Sequence, residues 1–183
     1  MIGFIRSLMV LGVVFLMSGC ANKVHDYSVS TENLLSLRTI SGTTGKVNLG
    51  EFTDSGRGEH AVMCRLATPI GTPKGETFAS YIKNALEKEL IIANMYDQNA
   101  KRTITANLDK IYGSTTIGDA YWDFILTVRS NNGISYKVHS RYDYESSFTA
   151  MSACSEMQRS FPLAVQKLIA NIIHHHKFKS LFK

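Results

Sequence analysis

The tightest constraint on this chain is a run of strict alternation in its second half. Between residues 102 and 111, Ile104, Ala106 and Leu108 share one face. Between 120 and 129, Ala120, Trp122, Phe124, Leu126 and Val128 do the same. Between 134 and 145, Ile134, Tyr136, Val138, Tyr142 and Tyr144 lie on one face, with Lys137, His139 and Arg141 opposite. A period of two marks strands with one buried and one solvated side. Asn131-Asn132-Gly133 joins the last two segments with residues that tolerate positive φ, so they read as a hairpin. Three such strands in succession build an antiparallel sheet that needs a cover on one face.

Two helices can supply that cover. Over residues 76–96, Phe78, Ile82, Ala85, Leu86, Leu90 and Ala93 recur at helical spacing, and Lys83, Glu87 and Lys88 point away from them. Over 152–176 the stripe is Cys154, Met157, Phe161, Val165, Leu168, Ile169 and Ile172. Pro162 interrupts it: either Ser160 caps a second helix with Pro162 in its first turn, or one helix is kinked there. Upstream, Val47, Leu49 and Phe52 suggest a strand ending in Thr53-Asp54-Ser55-Gly56, and residues 61–66 form a short apolar run carrying Cys64. Residues 68–75 hold two prolines and two glycines and read as a loop. The order β-β-α-β-β-β-α predicts an α+β fold: a two-layer sandwich, its mostly antiparallel sheet of about four to five strands carrying two helices on one face. The first helix can act as a crossover between parallel strands.

The N-terminus carries a different kind of signal. After Arg6, residues 8–17 are apolar except for Gly12, a stretch that suits a secretory signal and is too short to span a bilayer of ~30 Å. It ends in Leu16-Met17-Ser18-Gly19-Cys20, which resembles the lipobox of bacterial lipoproteins, with Met17 where the family usually has Leu. The resemblance implies cleavage before Cys20, a diacylglycerol on its thiol and, because Ala21 rather than Asp follows, sorting to the outer membrane with the protein facing the periplasm. Residues 1–19 are then a signal peptide. The polar stretch 20–45, rich in Ser, Thr and Asn, is expected to be the lipidated Cys and a flexible tether, and 46–183 a single domain.

Lipidation of Cys20 leaves Cys64 and Cys154, which an oxidising compartment would pair. The disulfide would be worth about 4–5 kcal/mol in the chain-entropy model; two buried free thiols are the alternative. No CxxC or close Cys/His spacing suggests a metal, and no cofactor is expected. A net charge of +5, without a dense basic stripe, argues against a nucleic-acid partner.

The phrase Val47-Asn48-Leu49-Gly50-Glu51-Phe52-Thr53-Asp54, the helix from Phe78 to Leu90 and Ile104-Thr105-Ala106-Asn107-Leu108 together resemble a recurrent envelope module. It is similar to the domain of YajG-like lipoproteins, of penicillin-binding-protein activator lipoproteins and of the N-terminal part of TolB, over residues 46–173. The resemblance implies a small domain that binds a protein partner and is no enzyme. These families share no functional-residue motif, so no residue role transfers.

His174-His175-His176 is conspicuous, but consecutive helical residues point about 100° apart and cannot converge on one metal. His and Lys there suit the negative end of a helix. Asp119 and Asp123 would share a strand face roughly 13 Å apart, too far for paired carboxylate chemistry. His60, His139 and Asp143 lack a GxSxG-type turn to present a nucleophile. The polar sheet face is the better candidate. Thr103, Thr105, Asn107, Tyr121, Ile125, Arg129, Lys137, His139 and Arg141 share it if the alternation holds. Tyr121, Arg129, Lys137, His139 and Arg141 are the expected partner contacts, joined by Lys177 and Phe178 of the basic-aromatic tail. The expectation is a non-catalytic outer-membrane lipoprotein binding an envelope protein. The rival is a lipid- or small-ligand-binding auxiliary of an envelope transport system, which needs an apolar groove between helices and sheet.

Overall fold

A computed structural model describes residues 23–55 and 60–183. The signal-like stretch with Cys20, and the glycine-flanked Arg57, lie outside the described residues. The elements are α1 (Thr31–Ser41), β1 (Asn48–Asp54), β2 (Ala61–Cys64), β3 (Thr68–Gly71), α2 (Phe78–Ile92), β4 (Thr103–Thr116), β5 (Asp119–Ser130), β6 (Ser135–Tyr144), α3 (Ala150–Ile173) and a closing 3-10 turn, Phe178–Phe182. The main sheet has the order β1-β4-β5-β6. β1 lies parallel to β4, so α2 belongs to the crossover between them; the other pairs are antiparallel. The fold is α+β, with a four-stranded mixed sheet and a separate β2–β3 ribbon.

The alternation places its large side chains under the helices. Trp122, Phe124, Phe78 and Phe161 are fully buried. Phe161 meets Trp122 edge-on with ring centroids 4.9 Å apart and Phe78 at 5.2 Å. The indole N–H of Trp122 donates to the Met157 carbonyl (3.2 Å) and to the Ser160 hydroxyl (3.1 Å). Gly113 lies opposite Trp122 in the sheet; a Cβ there would sit 3.1 Å from the indole and would push the Met157 methyl aside, so the glycine lets both pack closely.

Three expectations need correction. The 20–45 segment is no free tether from Lys23 onward, and the domain starts there rather than at 46. α1 packs against α2 and α3, and Val24, Tyr27, Leu37 and Ile40 are buried. Asn33, Leu37 and Ile40 form a narrow buried stripe, with Leu34 partly buried beside it and Leu35 exposed. Beneath the stripe, the fully buried Glu89 carboxylate accepts hydrogen bonds through one oxygen from Tyr27 O–H (2.5 Å), Ser30 N–H (3.0 Å) and the Asn33 amide (3.4 Å). Residues 68–71 are not loop: β3 pairs with β2 from Ala61↔Gly71 to Cys64↔Thr68 and tolerates Pro69 in a short ribbon. β4 runs on to Thr116, past the expected end at 111, because a bulge between Leu108 and Lys110 shifts the pattern by one residue.

Pro162 does not end α3. Its missing N–H frees the Gln158 carbonyl, which instead accepts from His25 N–H at 3.5 Å. The proline thereby opens a place for the N-terminal segment. Cys64 and Cys154 are joined in a disulfide, their Cα atoms 5.8 Å apart, tying the ribbon to the start of α3. Among the described residues, no helix is long and apolar enough to cross a membrane.

Candidate functional site

With helices on one face, the other face of β4, β5 and β6 is open, and its side chains form a lattice of paired charges. Asp123 stands at the centre of β5, its side chain 10% exposed. It accepts from Lys110 Nζ at 2.7 Å and from His139 Nε2 at 2.5 Å, one partner on each neighbouring strand. Burial alone would raise this carboxyl, but the hydrogen bonds and charges of Lys110 and His139 outweigh it and hold it below the usual carboxylate value. One step along, Asp109 in the bulge accepts from Thr127 Oγ1 (2.6 Å) and the Asn107 amide (2.6 Å) and pairs with Lys137 at 3.2 Å. Its carboxyl is likewise held low: burial opposes, while Thr127, Asn107 and Lys137 prevail.

Toward the β4–β5 turn the face becomes aromatic. Arg141 lies 3.6 Å over the Tyr121 ring and is held flat by Asp119 (2.6 Å) and Asp143 (2.7 Å). Tyr112 packs beside Tyr121 with centroids 5.9 Å apart. Of the residues expected on this face, Tyr121, Lys137, His139 and Arg141 thus come together. Arg129 is on the same face but at the far end of β5, between Thr105 and Ser135, outside the lattice. Asp119 and Asp123 serve separate partners.

The tail departs from expectation. Phe178 is buried, 1% exposed, and meets Phe182 edge-on at 5.2 Å, so it offers nothing to a partner. Ser130 donates to the Leu181 carbonyl and Asn132 to those of Ser180 and Lys183, clipping the tail onto the β5–β6 hairpin. Lys177 is exposed and donates to the Ser135 carbonyl at 3.4 Å. Of the histidine run, His174 contacts the Ser36 hydroxyl at 3.2 Å, and His175 stacks on Tyr136 at 4.0 Å and on His176 at 4.4 Å, its pKa lowered by burial and by neighbouring His176 and Lys177.

Asp109, Lys110, Tyr112 and Asp123 belong to this surface and escape the sequence reading. The bulge is the reason for Lys110 and Tyr112, since it moves them across the apparent alternation, whereas Asp109 lies on the polar side of that alternation, next after Asn107. The only sequence signal for it is the adjacent Asp109-Lys110 pair, where an apolar residue is due. Between helices and sheet, the space an apolar groove would need is filled by Trp122, Phe124 and Phe161.

Fold and face together define an α+β protein with a mixed four-stranded sheet, helices on one side and paired charges on the other. No family model matches the chain, and no curated protein matches it. Among solved structures its fold is similar to that of protein XCC0632 from Xanthomonas campestris, of the family model DUF330, with a TM-score of 0.50 over 70% of this chain and 84% of that one. Identity is 5%, so the likeness is one of fold alone.

Proposed function

We propose that the chain is a lipid-anchored lipoprotein of the outer membrane that faces the periplasm and binds an envelope protein through its open sheet face, without catalysis. The lattice of paired charges carries the reading. Its carboxylates are already satisfied by Lys110, His139, Lys137 and Arg141, which suits a pre-ordered polar surface rather than a base or nucleophile awaiting a substrate. The lipobox-like Leu16–Cys20 phrase, the resemblance to protein-binding envelope lipoproteins and the Cys64–Cys154 disulfide, which suits an oxidising compartment, support the location.

A photo-crosslinking residue placed at Ile125, between Lys110 and His139, tests this in cells. A discrete protein adduct that disappears when Lys137→Glu and Arg141→Glu are introduced, while the protein stays folded and in the membrane fraction, is the expected result. No adduct from Ile125, or one indifferent to both charge reversals, would overturn it.

A further inference from the structure

At the end of the molecule where β4 turns into β5, large apolar side chains stand in solvent. Leu66 is 94% exposed, Phe148 85% and Met151 84%, with Ile117 and Met63 about half exposed. They come from three places: the tip of the β2–β3 ribbon, the β4–β5 turn, and the loop entering α3. Arg65 gathers these places, donating to the carbonyls of Thr115 (3.4 Å), Ser147 (2.8 Å) and Phe148 (3.2 Å). One residue away, the Cys64–Cys154 disulfide fixes the ribbon to the first turns of α3. The patch is therefore rigidly supported.

Its backbone is also strained. Arg65 and Leu66 adopt φ of 50° and 59°, the left-handed region that favours Gly or Asn. A leucine in that conformation with its side chain in solvent contributes nothing to the core, and singly exposed apolar residues would need no comment, whereas a cluster does.

The chain's path says what covers the cluster. Lys23 bridges Gly71 in parallel, and Val24 N–H donates to the Gly71 carbonyl at 2.8 Å. The chain at Lys23 thus runs with β3, away from the ribbon tip. Cys20 stands three residues upstream, a span of at most ~11 Å. Lys23, whose ammonium donates to the Pro73 carbonyl, and Lys74 add positive charge beside this entry point.

We infer that the lipid anchor leaves no room for a free tether and seats this end of the domain on the bilayer, with Leu66, Phe148 and Met151 entering the boundary between headgroups and acyl chains. The inference rests on the lipid-anchor reading of Cys20. It makes the bilayer a second binding surface, distinct from the sheet face, and fixes the orientation in which that face is displayed: the β4–β5 turn points down and the face stands upright from the membrane.

The test uses the full chain, produced with its N-terminal sequence and reconstituted in vesicles of phosphatidylethanolamine and phosphatidylglycerol with brominated acyl chains. Two variants are compared, Phe148→Trp in the patch and Ile92→Trp at the far end of α2, near the start of β1. Native Trp122 is buried and gives both the same background. Intact mass first establishes whether Cys20 is acylated. With an acylated chain, the expected result is loss of most of the added emission in Phe148→Trp and retention of it in Ile92→Trp. Equal quenching, or none, in an acylated chain would overturn the seated orientation alone. Blue-shifted but unquenched emission from Phe148→Trp would mean that a protein surface, a second copy included, covers the patch, and would also overturn it. An intact mass without acyl chains would instead overturn the anchor reading.

Discussion

Leu66 pays for its place in conformational strain, since its left-handed backbone suits Asn far better than a leucine. Leu66→Asn is expected to raise the stability of the domain in solution by about 1 kcal/mol, read as a higher denaturant midpoint with an unchanged slope, while weakening contact with the bilayer. A lower midpoint would show that the leucine packs against something in the free protein. Asp123 tests the opposite kind of site. Its partners Lys110 and His139 keep side chains 50% and 64% exposed and can turn to water. Asp123→Asn is therefore expected to cost only about 1 kcal/mol. The pH dependence has a definite sign. Asp109 and Asp123 sit below the ordinary 3.8 in the folded state, so their stabilisation is fully present above that value and is lost as pH falls through the folded one. Acid titration of the melting temperature should show a shallower fall in Asp123→Asn than in the native chain. At this scale the sequence shows Tyr121, Lys137, His139 and Arg141, because strict alternation in β5 and β6 exposes them. It hides Lys110 and Tyr112, because one extra residue in β4 inverts the pattern beyond it.

Among the elements, α1 is the one that composition misleads. Of its four apolar side chains only Leu37 and Ile40 are buried, with Leu34 partly so and Leu35 exposed, too little to stand out, and a long-range contact also holds α1 down. Glu89, sixty residues away on α2, reads as an ordinary helix carboxylate until Tyr27, Ser30 and Asn33 are seen to converge on it. Glu89→Ala leaves those three donors without their acceptor and opens a cavity. We expect a loss of about 3 kcal/mol and, in hydrogen exchange, amides of α1 that open well before those of β4 and β5. Uniform loss of protection would mean that α1 unfolds only with the whole domain. The β2–β3 ribbon has a comparable staple in Cys64–Cys154. Reduction should lower stability by up to about 4–5 kcal/mol, with two thiols appearing only after reductant is added. Helices α2 and α3 and strands β5 and β6 follow directly from their periodicity, whereas β3 is masked by Pro69 and Gly71, residues that usually mark loops.

At the scale of the molecule, buried phenols make alkaline pH informative. Burial raises the hydroxyls of Tyr27, Tyr81, Tyr136 and Tyr144 above the ordinary 10.0, with Glu89 adding to the effect at Tyr27. A raised folded value means that this stabilisation is complete below pH 10.0 and is lost as pH rises further, because the unfolded chain ionises first. The melting temperature should stay level up to that point and then drop with a slope greater than one phenol would give. A single-phenol slope would mean that most of these rings ionise in place.

Two N-terminal contacts have a mechanical meaning. Val24 is bonded to the end of the ribbon and His25 to the carbonyl that Pro162 releases in the middle of α3. Tension arriving along the chain from Cys20 would therefore divide at once between a disulfide-clamped ribbon and the longest helix. At Gly71 it would act along a parallel bridge, shearing the Val24–Gly71 hydrogen bond lengthwise rather than peeling it open. A domain pulled from that point should resist as one body, with α1 shielded behind the junction.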